Sequence, residues 1–486
     1  MKVYMTLRQI FTHRTFSDRL MNLKVQGISD DSRLVRRGDM FFVIERNNFD
    51  ILSVLKTIEY KVAVFVASRR HRAAIECLDI HVPVLFVEDA QEALYRAADA
   101  FYGFDPADFI FIGVTGTKGK TTIAYCVYHM LKQLGERVSL IGTVRYIIGN
   151  RSYAATHTTP DYLTLRKLCK ESKDARCKYI IMEVSSHAIV QKRIQGIHFK
   201  ACIFTNMSRE HLDYHKTMKH YFEAKKQLFI DNSDACMTVN GDDAYGRKLL
   251  AQFKNASSYG IIHPAVYRAR VPRVTKSGIA FDIMHGKEAF PINCSLLGRH
   301  NIYNILAATA SVCALGFRLA DVAEKLSSFC GVEGRLQEVV PDVFVDYAHT
   351  PDSLKKALDT LKDIGYKKVI CVFGCGGNRD KGKRKIMGSV AASRADFTFI
   401  TSDNPRNEDP REICHSIAKG FSNRNYAITV DRREALGKAL SLKTKYIDCC
   451  VLVAGKGHED YQIVGTKRIV FKDSNIICEL AGATCL

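Results

Sequence analysis

Residues Phe109–Thr122 read FIFIGVTGTKGKTT. The run begins apolar and β-prone and then turns glycine-rich. Beyond it, Ile123, Val127, Met130, Leu131 and Leu134 recur at helical spacing and stop before Gly135. The stretch is therefore strand, tight turn and helix start. Gly116 and Gly119 let backbone N–H groups face an anion with no Cβ in the way. The helix N-terminus adds the positive end of its dipole. Lys120 is placed to neutralise outer phosphates and Thr121 to offer a hydroxyl to Mg²⁺, with Thr117, Lys118 and Thr122 lining the same loop. The spacing is irregular: five residues separate Gly113 from Gly119, and the standard four-residue register begins at Val114.

Outward from this loop, apolar runs alternate with helical stretches, the pattern of parallel sheets wrapped by helices. Strands are expected at Phe109–Val114, Tyr179–Val184, Ala201–Thr205 and Cys236–Val239, followed by a helix over Asn301–Leu315. Upstream, Val62–Ala67 (VAVFVA) and Val82–Val87 (VPVLFV) read as buried strands and Ala90–Tyr102 as a helix, with Asp105-Pro106 as a linker. After Gly334-Arg335 a further doubly wound unit is expected, with strands at Val343–Asp346, Val369–Phe373, Phe397–Thr401 and Val451–Ala454. In such sheets ligands gather beyond the C-terminal strand ends.

Composition narrows the class. The 486 residues are 47% hydrophobic and 25% charged, a globular balance with length for about three domains. No apolar run reaches the roughly 18–20 residues that span a bilayer, and Met1–Arg19 lacks the apolar core of a secretory signal. The sixteen cysteines are scattered without a tight CxxC pair and read as reduced thiols of a cytoplasmic protein. The net charge of +20 fits nucleic acid, a membrane surface or small anionic substrates, and by itself decides nothing.

Two further stretches carry chemistry. Glu183 ends the strand YIIMEV and precedes Ser185, Ser186 and His187. A carboxylate at that strand end suits a metal or its waters. His211 lies in NMSREHLDYH, just after another strand, and joins this cluster. Lys225, in YFEAKKQLF, reads by its spacing as an ordinary helix lysine.

In chain order, TGTKGKTT, MEVSSHAIVQKR, NMSREHLDYH, GRHNIYN, DYAHTPDSL, GCGGNRDKGKR, DNPRNEDP and AGKGHE resemble the Mur ligase family over most of the chain. The resemblance implies an α/β protein of three domains: a UDP-binding domain over residues 1–105, a central P-loop ATPase domain over 106–332 and a Rossmann-like amino-acid-binding domain over 333–486. It implies an ATP-dependent ligase of cytoplasmic peptidoglycan precursor synthesis. The reaction would add meso-2,6-diaminopimelate to UDP-N-acetylmuramoyl-L-Ala-D-Glu through an acyl phosphate. It implies Mg²⁺ served by Thr121, Glu183, His211 and Lys225, with Lys225 carbamylated, and catalytic roles for Lys120, His211 and Lys225. Asn301, Arg335 and Asp346 match nucleotide-contacting positions. Ser32 matches the uridine side, and Thr158, Thr159, Ser185, Gln191 and Arg193 match the muramoyl-peptide side. A monomer with no nucleic-acid partner and no membrane span is expected.

DNPR (Asp403–Arg406) matches the diaminopimelate form of the family, and Arg406 offers a planar fork for a second carboxylate that lysine lacks. Arg379, Asp403, Asn404, Pro405, Gly455 and Glu459 match the positions around the same amino acid, with Glu459 suited to a distal ammonium. The chain departs from the family pattern in places. Phe41–Leu52 lacks the usual glycine-rich segment, Lys118 stands where asparagine is common, Asn378 replaces an aspartate, and Phe471–Ile477 differs from the usual FDDRE-like segment. The rivals are a lysine-adding, D-Ala-D-Ala-adding or folylpolyglutamate-type ligase, a basic nucleic-acid-binding ATPase, and a catalytically dead scaffold. No aromatic-basic platform supports the nucleic-acid reading.

Overall fold

The computed structural model of the chain describes residues 4–11, 17–45 and 50–483. Residues 46–49 of the irregular Phe41–Leu52 stretch therefore lie outside the described residues. The chain forms two compact units. One comprises Met1–Gly113, Glu136–Lys200 and His215–Ser233, and the other Val114–Gly135, Ala201–Tyr214 and Asp234–Leu486.

In the first unit, Gly27–Ser29, Asp39–Val43, Val62–Ser68 and Val84–Val87 form a sheet in chain order, parallel throughout. Asp39–Val43 is buried along its length and Val62–Ser68 nearly so, as unbroken apolar runs require when both sheet faces are covered. The helix Ala90–Tyr102 packs on this sheet. Asp89 caps it by accepting from the N–H groups of Gln91 and Glu92, and Gly103 ends it at φ 60°. Asp99 on this helix takes the Nε–H of the fully buried Arg166 at 2.5 Å, and Tyr95 lies 4.3 Å from Tyr162. A buried guanidinium is tolerated only with such a partner, so this ion pair fixes helix Tyr162–Asp174 against Ala90–Tyr102. In the same unit Val138–Ile141 and Tyr179–Glu183 run parallel, and the hairpin Arg145–Ile148 with Arg151–Ala154 continues antiparallel from Val138–Ile141.

In the second unit, helix Lys120–Gln133 packs against helix Arg299–Ala314, which is buried on nearly every side. Cys236–Asn240, Ser257–Gly260 and Tyr267–Thr275 run parallel, and Gly278–His285 and Glu288–Cys294 fold back antiparallel. A separate six-stranded sheet follows the order Gln337–Val340, Val343–Asp346, Cys449–Ala454, Lys368–Phe373, Phe397–Ile400, Tyr426–Ile428. Only its first pair is antiparallel. Every residue of Cys449–Ala454 is buried, and each large apolar side chain so placed contributes about 1.5–3 kcal/mol. This strand, last in sequence among the six, inserts between Val343–Asp346 and Lys368–Phe373. The loops leaving the C-terminal strand ends on either side of that switch carry the DYAH, GCGGNR, DNPR and AGKGHE motifs.

The structure departs from the sequence reading in three places. Of the strands of 267–294, Tyr267–Thr275 and Glu288–Cys294 are largely exposed and Gly278–His285 alternates buried with half-buried residues, so the ribbon carries no long apolar run. Pro272 falls beside a register shift between Arg270 and Arg273, where Val271 takes φ 50°. Asp105-Pro106 opens a short 3₁₀ turn, Pro106–Asp108, in which Asp105 accepts from the Ala107 N–H. Among the described residues Cys478 is disulfide-bonded, against the expectation of reduced thiols throughout, and fourteen other cysteines form no disulfide.

Candidate active site

The phosphate loop lies in the second unit and is fixed by backbone geometry. Gly116 has φ +138°, and a Cβ there would stand 1.9 Å from Thr205 Oγ1; Gly119 has φ +88°, and its Cβ would stand 2.6 Å from Asn304 Oδ1. Only glycine fits either position. The adjoining strand end clamps the loop. Thr117 N–H donates to Asn206 O at 2.8 Å, Lys118 N–H to Asn206 Oδ1 at 3.1 Å, and Thr205 Oγ1 to Lys118 O at 2.6 Å. Lys120 turns its ammonium onto the loop's own carbonyls, Gly116 O at 3.0 Å and Thr117 O at 2.9 Å. Thr122 follows Thr121 in the first turn of helix Lys120–Gln133.

Lys118, the departure from the family pattern, pairs with Glu210 Oε1 at 2.9 Å. Burial alone would push the Glu210 carboxyl up; Lys118, with Lys120 and His211 behind it, outweighs that and holds it below the usual carboxylate range. The neighbouring His211 is exposed and takes φ 55°, a left-handed conformation uncommon for a side chain of its size.

The three nucleotide-matching residues are also in this unit. Arg335 Nη2 donates to Thr121 Oγ1 at 3.2 Å, and its guanidinium lies 5.1 Å from the Tyr347 ring centre. Arg335 Nε is buried and has no hydrogen-bond partner among the described residues. An orphaned buried donor beside a phosphate loop is what an absent anion would satisfy. Asp346 Oδ2 accepts from Leu336 N–H at 2.7 Å. Burial pushes its carboxyl up to about 6 against the pull of Arg335. Asn301 is buried, with Nδ2 donating to Leu297 O at 2.8 Å and Oδ1 accepting from Asn304 Nδ2 at 2.8 Å.

Around the six-stranded sheet, the amino-acid-matching residues meet at the strand ends. Arg406 has φ 53°. Its N–H donates to Ile463 O at 3.0 Å, and its Nη1 donates to Gly377 O at 2.9 Å and Asn404 O at 3.4 Å. Asn404 Nδ2 donates to Glu459 Oε2 at 2.9 Å, while its Oδ1 accepts from Ile463 N–H at 2.9 Å. A Cβ on Gly455 would stand 2.8 Å from Asp403 Oδ2, and one on Gly377 would stand 1.9 Å from Pro405 O. Arg379 is exposed beside them. Asn378, the second departure, has a structural use, since its Oδ1 accepts from Asn407 N–H. A cavity of about 770 Å³ beside this turn is lined by Ser402, Pro405, Arg432, Gln462 and Phe471 among others, and reaches none of the other residues in this set.

The first unit holds the remaining set. Glu183, 1% exposed, accepts from Thr143 N–H at 2.7 Å and from Thr143 Oγ1 at 3.0 Å. Thr143 Oγ1 also meets Thr158 Oγ1 at 3.1 Å. Thr159 Oγ1 donates to Glu183 O at 2.8 Å and accepts from Ser185 N–H at 3.0 Å. Ser185 caps helix Ser186–Val190. Arg193 grips Gln191 Oε1 through Nε and Nη2 and donates Nη1 to Thr159 O at 2.9 Å. Lys225 is 1% exposed on helix Met218–Ile230, its Nζ 4.7 Å from the centre of the Tyr221 ring. Ser32 lies in the turn after strand Gly27–Ser29. Among the described residues no group of three or more His, Cys, Asp or Glu is arranged to hold a metal ion.

Sequence reasoning missed Glu210, the clamp Thr205-Asn206, and Lys456. Lys456 is fully buried and pairs with Glu459 Oε2 at 3.1 Å. The available signal was a lysine enclosed by two glycines in AGKGHE.

Residues 114–312 match the Mur ligase middle domain, and residues 334–457 match the Mur ligase glutamate ligase domain. A UDP-N-acetylmuramoyl-L-alanyl-D-glutamate--2,6-diaminopimelate ligase from Clostridium botulinum is 36% identical over 466 residues, covering 94% of this chain and 95% of its own. A solved structure of a ligase of that name gives a TM-score of 0.66 at 27% identity and covers 99% of both chains. The MurF ligase from Thermotoga maritima in complex with ADP gives 0.60 at 17% identity over 93% of this chain and 96% of that one, a likeness of fold alone. With both domain matches and a relative aligned along nearly its whole length, the chain belongs to the Mur ligase family.

Proposed function

We propose that this chain is an ATP-dependent amide ligase that adds meso-2,6-diaminopimelate to UDP-N-acetylmuramoyl-L-Ala-D-Glu, a step in peptidoglycan precursor synthesis. The observation that carries the reading is the clamped phosphate loop, with Lys120 folded onto it and the orphaned Arg335 Nε beside Thr121. A carboxylate acylates an amine poorly because oxide is a poor leaving group. The acceptor carboxylate oxygen attacks the γ-phosphorus of ATP, and ADP leaves. The amine then attacks the acyl carbon, phosphate leaves and the amine gives up a proton. The first step brings two anions together and the second builds negative charge on the tetrahedral intermediate and the leaving phosphate, so fixed cations are needed where charge develops. Lys120 and Arg335 are assigned to that role, with Gly116–Thr122, Asn301 and Asp346 holding the nucleotide.

Thr121, Glu183, His211 and Lys225 keep the Mg²⁺ roles that the family resemblance implies, and Lys120, His211 and Lys225 the catalytic ones. Of these, Thr121 and Glu183 offer the hydroxyl and carboxylate oxygens that Mg²⁺ takes as hard ligands, and a carbamylated Lys225 would offer a further oxygen. When bound, the ion would neutralise phosphate charge. Carbamylation of Lys225 would turn a buried cation, costly to desolvate, into an anion. We assign Ser32 to the uridine, and Thr158, Thr159, Ser185, Gln191 and Arg193 to the muramoyl peptide. Arg379, Asp403–Arg406, Gly455 and Glu459 are assigned to diaminopimelate. The corresponding domains are 1–105, 106–332 and 333–486, and the chain is assigned to the cytoplasm as a monomer. No helix among the described residues is long and apolar enough to cross a membrane. The +20 charge suits strongly anionic substrates.

Phosphate release with UDP-muramoyl-dipeptide and ATP, plus either diaminopimelate or lysine, tests this. Release is expected with diaminopimelate. No release with either amino acid would refute the assignment.

A further inference from the structure

Lys456 is an ionisable side chain at the amino-acid end to which the family pattern gave no role. The turn that carries it explains its burial. Gly455 and Gly457 both take positive φ, 111° and 54°, and Glu459 N–H closes the turn on Lys456 O at 3.0 Å. Lys456 is thereby held inward, fully buried, with Nζ 5.5 Å from the Tyr461 ring centre. Its ammonium lies 3.1 Å from Glu459 Oε2 and 3.4 Å from Asn404 Oδ1. Asn404 closes the triangle through Nδ2 on the same Glu459 oxygen, at 2.9 Å. Both bonds to the Glu459 carboxylate fall on Oε2. Among the described residues Glu459 Oε1 accepts none, so the carboxylate is held by one oxygen with the other still available.

We propose that Lys456 is a positioning residue for the incoming amino acid: by holding Glu459 Oε2 together with Asn404, it presents Glu459 Oε1 to the distal ammonium of the substrate. The inference rests on the functional reading above and adds a determinant of amino-acid affinity to it. A carboxylate rotating freely in solvent would lose entropy on taking up an ammonium, whereas one already clamped loses little. The pair also keeps the local charge near neutral when no amino acid is bound, so Glu459 does not stand as an isolated half-buried anion.

The test measures steady-state kinetics of wild type, Lys456→Met, Glu459→Gln and the double variant, with each substrate varied in turn. Lys456→Met should raise the KM for diaminopimelate roughly ten- to hundredfold while the KM values for ATP and the UDP-dipeptide shift less than about threefold. Because Lys456 acts through Glu459, the double variant should be little worse than Glu459→Gln alone. Lys456→Arg, which keeps the cation, should recover part of the diaminopimelate affinity. Where Lys456→Met does not fold, Lys456→Gln is measured in its place, with the same direction expected. Equal rises in all three KM values, an unchanged diaminopimelate KM, or additive effects in the double variant would overturn the proposal. Wild type without diaminopimelate-dependent phosphate release would instead refute the functional reading itself, so the two failures are distinguishable.

Discussion

On the function proposed above, the phosphate loop and the amino-acid end each hold an anionic group, and they are built for it by different means. Around Gly116–Thr122 the work is done by backbone: glycines with positive φ, N–H and C=O groups clamped by Thr205 and Asn206, and one lysine folded onto two carbonyls. Around Asp403–Arg406 it is done by side chains from three loops: Arg406 on Gly377, Asn404 on Glu459, Glu459 on Lys456. Backbone geometry is indifferent to what the anion is attached to, whereas side-chain networks can tell one amino acid from another. The proposed assignment thus pairs a generic end for a common nucleotide with a specific end for the amino acid.

The largest effect expected from this contrast is at the generic end. Lys120→Met should lower kcat/KM for ATP by about a thousandfold or more, since it removes a cation from the transferring phosphoryl group. A loss below tenfold in single-turnover assays would break the assignment. At the specific end, Arg406→Ala should raise the KM for diaminopimelate roughly ten- to hundredfold and spare that for ATP. Arg406→Lys should recover little, because it keeps the charge and loses the fork. A diaminopimelate KM unchanged in both variants would remove Arg406 from the site.

A pH profile sharpens the contrast further. Burial disfavours the charged form of Asp346 and pushes its carboxyl up to about 6. If the ionised carboxylate serves the nucleotide, kcat/KM for ATP falls on acidification through that range, and Asp346→Asn lacks this limb. The sign for stability is opposite: a raised folded pKa makes the ionised group destabilising above about 6, and the cost fades as pH drops toward the unfolded value. Asp346→Asn should therefore melt higher than wild type at neutral pH, with the gap closing on acidification. The smallest effect is at Lys118. Lys118→Asn removes a partly exposed ion pair and should cost about 0–1 kcal/mol in chemical unfolding. Glu210 has a depressed pKa, so its contribution is present at neutral pH and is lost as pH falls through the folded value. The difference between wild type and variant should vanish in acid.

Sequence legibility follows the same division. The phosphate loop was readable because its requirement for glycine and a helix start is local. Buried strands were readable because burial on both faces leaves unbroken apolar runs: Ile110–Thr115 lies within a residue of its expected bounds and Val343–Asp346 falls where expected, as does the helix Ala90–Tyr102. The strands of 267–294 were not readable, since a half-exposed antiparallel ribbon leaves only alternation, interrupted here at Pro272. Lys225 looked like any helix lysine, and its burial is a tertiary fact. Lys456 and Glu210 were missed for a related reason. Glu210 takes its meaning from Lys118, 92 residues away, and Lys456 from its burial and from Asn404, 52 residues away, which shares the nearby Glu459 with it. The three-domain α/β class was legible through the family motifs.

The close approach around Gly334 has a consequence best put in genetic terms. A Cβ on Gly334 would stand 2.3 Å from the backbone N of His458 and 2.5 Å from the carbonyl carbon of Gly457, and one on Gly457 would stand 2.9 Å from the backbone N and Cα of Tyr347. A clash with a side chain can be relieved by trimming that side chain, so such lesions have second-site suppressors. Here the obstructing atoms include main chain, which every residue shares. Alanine alleles at Gly334 or Gly457 should therefore yield true revertants in a suppressor screen and no compensating substitution at the residues they touch.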